Sequence, residues 1–155
     1  MQNRIEPLEK PNGIMMRLGF FLFKRMFGKV ITPVKTIYNR VPEIMFVAKK
    51  FNDVEKKLTL DVTLVKLIKH HVAATNGCHF CIDINMRNAI DKKVYTEKFK
   101  KMHKFETSNL FSEKEKTAFR YVEEITTKKV VSDELFADLK KHFNDTEIVE
   151  ITYLC

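Results

Sequence analysis

Apolar residues along this chain recur every three or four positions, with polar residues between them, over almost the whole length after residue 42. That spacing is the signature of amphipathic helices, and no β-branched alternating runs bounded by turn residues compete with it. Pro42 suits a first helical position, opening a segment to about Leu58 with Ile44, Val47, Ala48 and Phe51 on one stripe. Asp61 is placed to cap the next helix, in which Leu64, Leu67 or Ile68, and Val72 recur up to Thr75. Asn76-Gly77 breaks that helix, glycine tolerating the left-handed conformation of a C-terminal cap, and a new helix starts at or near Cys78 and runs to about Ile90.

Further on, Ser112 and Glu115 form a Ser-x-x-Glu capping box ahead of a helix with Ala118, Phe119, Val122 and Ile125 inward. Ser132 caps a helix with Leu135, Phe136, Leu139 and Phe143 as its stripe. Asn144 or Asp145 caps a last one that includes Ile148, Val149, Ile151 and Leu154. This helix reaches Cys155 without a stop signal, so it is expected to be cut short or to be finished by a partner subunit. All four prolines lie in the first 42 residues, and Gly77 is the only glycine after them, which leaves the rest free to be helical. The pattern predicts an all-α domain over 43–155, preceded by an arm over 1–42.

Composition changes the picture mainly through charge. The formal net charge of +8 is concentrated in residues 1–50, where 10 Lys and Arg face 3 Asp and Glu; the remaining residues are nearly balanced, 18 against 17. Within the basic arm, "MMRLGFFLFKRMFGKVITPVKTIYNR" interleaves phenylalanines with cations. If helical, it places Met16, Phe20, Phe23 and Phe27 on one stripe flanked by Arg17, Lys24 and Arg25. Such an arm packs across the domain or a neighbouring subunit, or lies on an anionic membrane surface; Gly19 and Gly28 weaken it as a free-standing helix and favour packing. The longest apolar run near the N-terminus, residues 18–23, is far short of the roughly twenty needed to span a bilayer. Mixed charge in the first ten residues does not suit a secretory signal, and the expected location is cytoplasmic. Nucleic-acid binding has only net charge in its favour, with no finger, helix-turn-helix or aromatic-basic sheet motif.

The candidate chemistry lies in "TNGCHFCIDIN", residues 75–85. Cys78 and Cys81, three apart at the first turn of a helix, sit where unpaired N–H groups and the positive dipole end favour thiolate. The spacing also allows a small disulfide ring, so that one sulfur attacks and the other resolves. His79, His70 and His71 are candidates for added positive charge or proton transfer. An odd total of three cysteines argues against a secreted disulfide framework, leaving redox, metal-binding and purely structural readings of the pair; a structural zinc site would need ligands beyond one Cys-x-x-Cys.

The segment "LVKLIKHHVAATNGCHFCIDINMRNAI" resembles the core motif of the carboxymuconolactone decarboxylase and alkylhydroperoxidase D-like family, in which an Asn-Gly-Cys-x-aromatic-Cys run joins two helices. The later stretch "LFSEKEKTAFRYVEEITTKKVVSDELFADLKKHFNDTEIVEITYLC" resembles that family's second half, so the likeness covers roughly residues 43–155. The resemblance implies an all-helical fold, assembly as homotrimers or homohexamers, no metal or organic cofactor, and thiol–disulfide oxidoreductase chemistry. In peroxidase members the residue matching Cys81 attacks the peroxide, the residue matching Cys78 closes the disulfide, and an external dithiol reopens it.

Two positions depart from the pattern. Peroxidase members carry a histidine where this chain has Asn85 and a glutamate where it has Lys66. Asparagine hydrogen-bonds but takes no proton near neutral pH, so the usual relay is missing. The expectation is a weak peroxidase, with Lys66, His79, His70 or His71 as partial compensation. The alternative is a family member that has lost catalysis and persists as an oligomeric binding or scaffold protein.

Overall fold

Every regular element of the structure, a computed structural model describing residues 4–91 and 96–155, is helical. The chain divides into two compact units, Met1–Leu58 and Thr59–Cys155.

In the first unit an irregular N-terminal segment is fastened by Asn39, whose side chain is fully buried. Its Oδ1 accepts from the Asn12 amide at 2.7 Å and its Nδ2 donates to the Lys10 carbonyl at 2.9 Å. Helix α1 (Gly13–Phe27) follows and ends at Gly28, whose φ of 71° is the left-handed cap conformation. Helix α1 covers the first half of the arm's phenylalanine-rich stretch, with Met16 buried, Phe20, Phe23 and Phe27 half-buried, and Arg17, Lys24 and Arg25 exposed. A π-helical turn (Val34–Tyr38) leads into α2 (Glu43–Glu55). Pro42 is the N-cap of this helix, one position before the expected first residue, with its backbone already helical and its carbonyl accepting from the Met45 amide at 3.0 Å. The helix also stops at Glu55, short of the expected Leu58. None of its residues is buried; Ile44, Val47, Ala48 and Phe51 all stand exposed.

The second unit is built on α3 (Val62–Thr75), half of whose residues are buried. Asp61 caps it as the sequence suggests, accepting from the Thr63 and Leu64 amides. The Asn76-Gly77 turn reverses the chain into α4 (His79–Asp91), which pairs with α3 as a helical hairpin. A short α5 (Glu97–Lys101) and a 3₁₀ turn (Met102–Lys104) come next; neither was evident from periodicity, being too short to show one. Both bring buried core residues, Phe99 and Met102, and α5 packs against α3.

Helix α6 (Glu113–Glu123) carries the expected Ser112–Glu115 capping box and runs into a second π-helical turn (Glu124–Lys128). Helix α7 (Asp133–His142) is capped by Ser132, and α8 (Asp145–Tyr153) by Asn144 in a second box with Glu147. Most expected inward positions are filled, but Phe136 and Val149 point to solvent. Phe119 is fully buried at the centre of an aromatic cluster, with Phe105 at 5.4 Å and Phe111 at 5.7 Å between ring centroids. Tyr121 and Thr152 join α6 to α8 through a 2.7 Å hydroxyl contact.

The entry to α3 is held by a carboxylate from the far end of the unit. Buried Glu150 accepts from the Thr59 amide at 2.8 Å, the Thr59 hydroxyl at 3.1 Å and the Leu60 amide at 3.0 Å. Charge-assisted bonds of this kind are stronger than neutral ones, and removing the acceptor strands buried donors. Glu150→Ala is expected to cost about 2–3 kcal/mol in urea-unfolding free energy, and a loss below about 0.5 kcal/mol would show that the latch contributes little.

Candidate functional site

The chain leaves α3 through two hydrogen bonds characteristic of a left-handed helix stop. The Gly77 amide donates to the Ala74 carbonyl at 3.0 Å, and the Cys78 amide to the Ala73 carbonyl at 2.9 Å. Gly77 has φ of 64°, which a side chain would strain, although a Cβ there would meet nothing within 4 Å. The turn sets Cys78 immediately before α4, where its carbonyl accepts from the Ile82 amide at 3.0 Å. Cys78 therefore takes the capping position of α4, and its Sγ accepts from the Cys81 amide at 3.3 Å.

Cys78 and Cys81 are joined as a disulfide, their Cα atoms 5.2 Å apart. Both residues are half-buried, and the intervening His79 and Phe80 are exposed. Once reduced, a sulfur at the Cys78 position faces the unpaired amides of the helix start, an environment that stabilises thiolate.

The other residues singled out in the sequence lie in different surroundings. Asn85, one turn beyond Cys81, is buried and its Nδ2 donates to the Lys69 carbonyl at 3.0 Å, tying α4 to α3. Lys66 is half-buried on α3. His70 packs edge-on against Phe99 at 5.5 Å, and His71 lies between Phe105 and Phe119 at 5.2 and 5.5 Å. Burial lowers the pKa of both; His71 is pushed down to about 4, with the neighbouring His70 adding to the effect. Near neutral pH neither ring supplies positive charge. The free thiol of Cys155 bonds back to the Ile151 carbonyl at 3.4 Å, and burial pushes its pKa up to about 11.

His71 Nε2 stands 3.2 Å from Glu123 Oε1 without a well-aligned hydrogen bond. An ion pair would raise the histidine and lower the carboxylate. Here burial moves both the other way, with Glu123 raised by burial and secondarily by Glu106, so the contact is weakly ionic at most. Glu123 also lines a cleft of about 660 Å³ with Thr75, Arg120, Glu124, Lys128 and Ser132. Sequence reasoning named none of these as site residues; the adjacent Glu123-Glu124 at the end of an apolar stripe was the available signal. Among the described residues no cluster of three or more His, Cys, Asp or Glu could hold a metal ion.

A half-buried Cys-x-x-Cys opening the second helix of a hairpin, inside an all-helical unit, defines a dithiol helical fold. The chain belongs to the carboxymuconolactone decarboxylase family, whose sequence pattern matches residues 43–124. It is 27% identical over 144 residues to the uncharacterized protein YnjA of Escherichia coli K12, covering 91% of this chain and 79% of that one. It is 28% identical over 119 residues to the uncharacterized protein YdfG of Bacillus subtilis 168, covering 76% and 81% respectively.

Among solved structures, an Agrobacterium tumefaciens protein of unknown function, a candidate antioxidant-defence protein AhpD, superposes with a TM-score of 0.69 and 24% identity over 76% of this chain and 82% of that one. The debrominase Bmp8, without ligand, superposes with a TM-score of 0.78 and 16% identity over 99% of this chain and 83% of that one. These two likenesses establish the fold. No helix among the described residues is long and apolar enough to cross a membrane.

Stability should carry the mark of the buried histidine. Unfolded His71 takes a proton below its ordinary value of 6.5, whereas the folded ring resists until about 4, so stability falls as pH drops through that window. Glu123, shifted upward, acts in the opposite sense and offsets part of the effect. Unfolding free energy is expected to drop by up to about 2 kcal/mol between pH 7 and 5, with a flatter slope in His71→Phe. An unchanged slope in that variant would show that His71 does not carry the dependence.

Proposed function

We propose that this protein is a thiol–disulfide oxidoreductase that reduces peroxides slowly through Cys81 and Cys78. The observation carrying the proposal is the pair itself: two sulfurs bonded at the start of a helix, half-buried, with the Cys81 amide directed at the Cys78 sulfur. Family membership and the likeness to a candidate antioxidant-defence protein support the reading.

In the proposed cycle the Cys81 thiolate attacks the distal oxygen of a hydroperoxide. An S–O bond forms, the O–O bond breaks, and the alkoxide leaves as alcohol after taking a proton. The Cys78 thiolate then attacks the Cys81 sulfenic acid, forming the disulfide and releasing hydroxide as water. An external dithiol reduces it. Cys78 is the better leaving group, because the helix start stabilises its thiolate, so the incoming thiol attacks Cys81.

Asn85 explains the expected slowness. It is spent on the Lys69 carbonyl and has no basic site, so proton transfer falls to solvent. General-base help is worth about 10²–10⁴ in rate, and that is the expected deficit. The apolar residues exposed on α2, among them Phe46, Phe51 and Val54, support assembly into trimers or hexamers, since a second copy would cover them. The second reading, a catalytically inert oligomeric scaffold, is favoured by the same structural use of Asn85.

Thiol counting separates the two readings. Reduced protein treated with mild peroxide is expected to lose two thiols per chain, recovered by dithiothreitol, and Cys81→Ser is expected to abolish the loss. Unchanged thiols after prolonged exposure would establish the scaffold reading, and oxidation at the rate of efficient peroxidases would overturn the role assigned to Asn85.

A further inference from the structure

Helix α1 is apolar on two opposite sides. One side carries buried Met16 and Gly19 and half-buried Phe20, Phe23 and Phe27. The other presents Ile14 at 85%, Leu18 at 60%, Phe21 at 62% and Leu22 at 46% exposure. At about 100° per residue these four fall within an arc of roughly 100°. Burial of the first stripe does nothing to cover the second.

The charge on this helix has one sign. From Lys10 to Pro42 the chain has seven Lys and Arg and no Asp or Glu. Lys35 is satisfied by Glu9 at 2.6 Å, and Arg40 donates to the carbonyls of Thr36 and Glu6. Arg17, Lys24, Arg25 and Lys29 are exposed and have no carboxylate partner among the described residues. Phe21, Lys24 and Arg25 together line a surface cleft of about 230 Å³.

We propose that the outward face of α1 docks on an anionic lipid bilayer. Ile14, Leu18, Phe21 and Leu22 enter the boundary between headgroups and acyl chains, and the four cations meet lipid phosphates. A nucleic acid would satisfy the cations but leave the apolar stripe in water. A second copy of this chain pairing the same face would bring like charges together. A bilayer with anionic headgroups offers hydrocarbon and negative charge in the same plane. Fifteen residues make a helix about 22 Å long, too short to span, so it lies parallel to the surface.

The test is sedimentation of the full chain with vesicles of phosphatidylcholine alone or mixed with phosphatidylglycerol. Binding to the mixed vesicles is expected to be at least about tenfold tighter than to neutral ones and to weaken with salt. Leu18→Ser/Phe21→Ser and Lys24→Gln/Arg25→Gln should each lose most of it with the helical circular dichroism unchanged, because these side chains are exposed. Equal affinity for both vesicles, or full binding by the serine variant, would overturn the proposal. So would a serine variant whose only change is dissociation of an oligomer in analytical ultracentrifugation without lipid, which would make this face a contact between copies.

Discussion

The arrangement of the second unit depends on one backbone turn. Gly77 takes a positive φ so that the amides of Gly77 and Cys78 can close the end of α3 on the carbonyls of Ala74 and Ala73. The same peptide that stops one helix begins the next, and Cys78 serves both as the terminal residue of the stop and as the cap of α4. A side chain at position 77 would strain this conformation even though the surrounding space is open. The position of the dithiol is thus set by backbone geometry, and the field at the start of α4 acts on whichever sulfur sits there.

Around that turn several polar residues are used to hold the fold together. Asn85 and Glu150 build: one ties α4 to a carbonyl of α3, the other ties the entry of α3 to α8. His71 is enclosed by phenylalanine rings and kept neutral, which makes it a core residue with a titratable group. The half-buried sulfur pair stands apart from these packing contacts, and the proposed dithiol chemistry rests on it.

Much of this was legible in the sequence, for identifiable reasons. Asp61, Ser112, Ser132 and the Asn76-Gly77 break are local signals whose hydrogen bonds close within a few residues, and the structure has them all. What was not legible depends on partners distant in sequence. Glu150 and Thr59 are 91 residues apart, and nothing near either announces the contact. The aromatic enclosure of His71 needs Phe105 and Phe119 to arrive from other elements. Short elements such as α5 and the two π-helical turns hold too few residues to display a period. The stripe on α2 was read correctly as a stripe, but periodicity does not say whether a face is buried in its own chain.

Activation of this dithiol by the start of α4 is measured most directly by the thiolate absorbance of the reduced protein as a function of pH. One thiol is expected to titrate well below the ordinary value of about 8.5, well separated from Cys155 at about 11. Titration of both Cys78 and Cys81 at or above that ordinary value would contradict the claim.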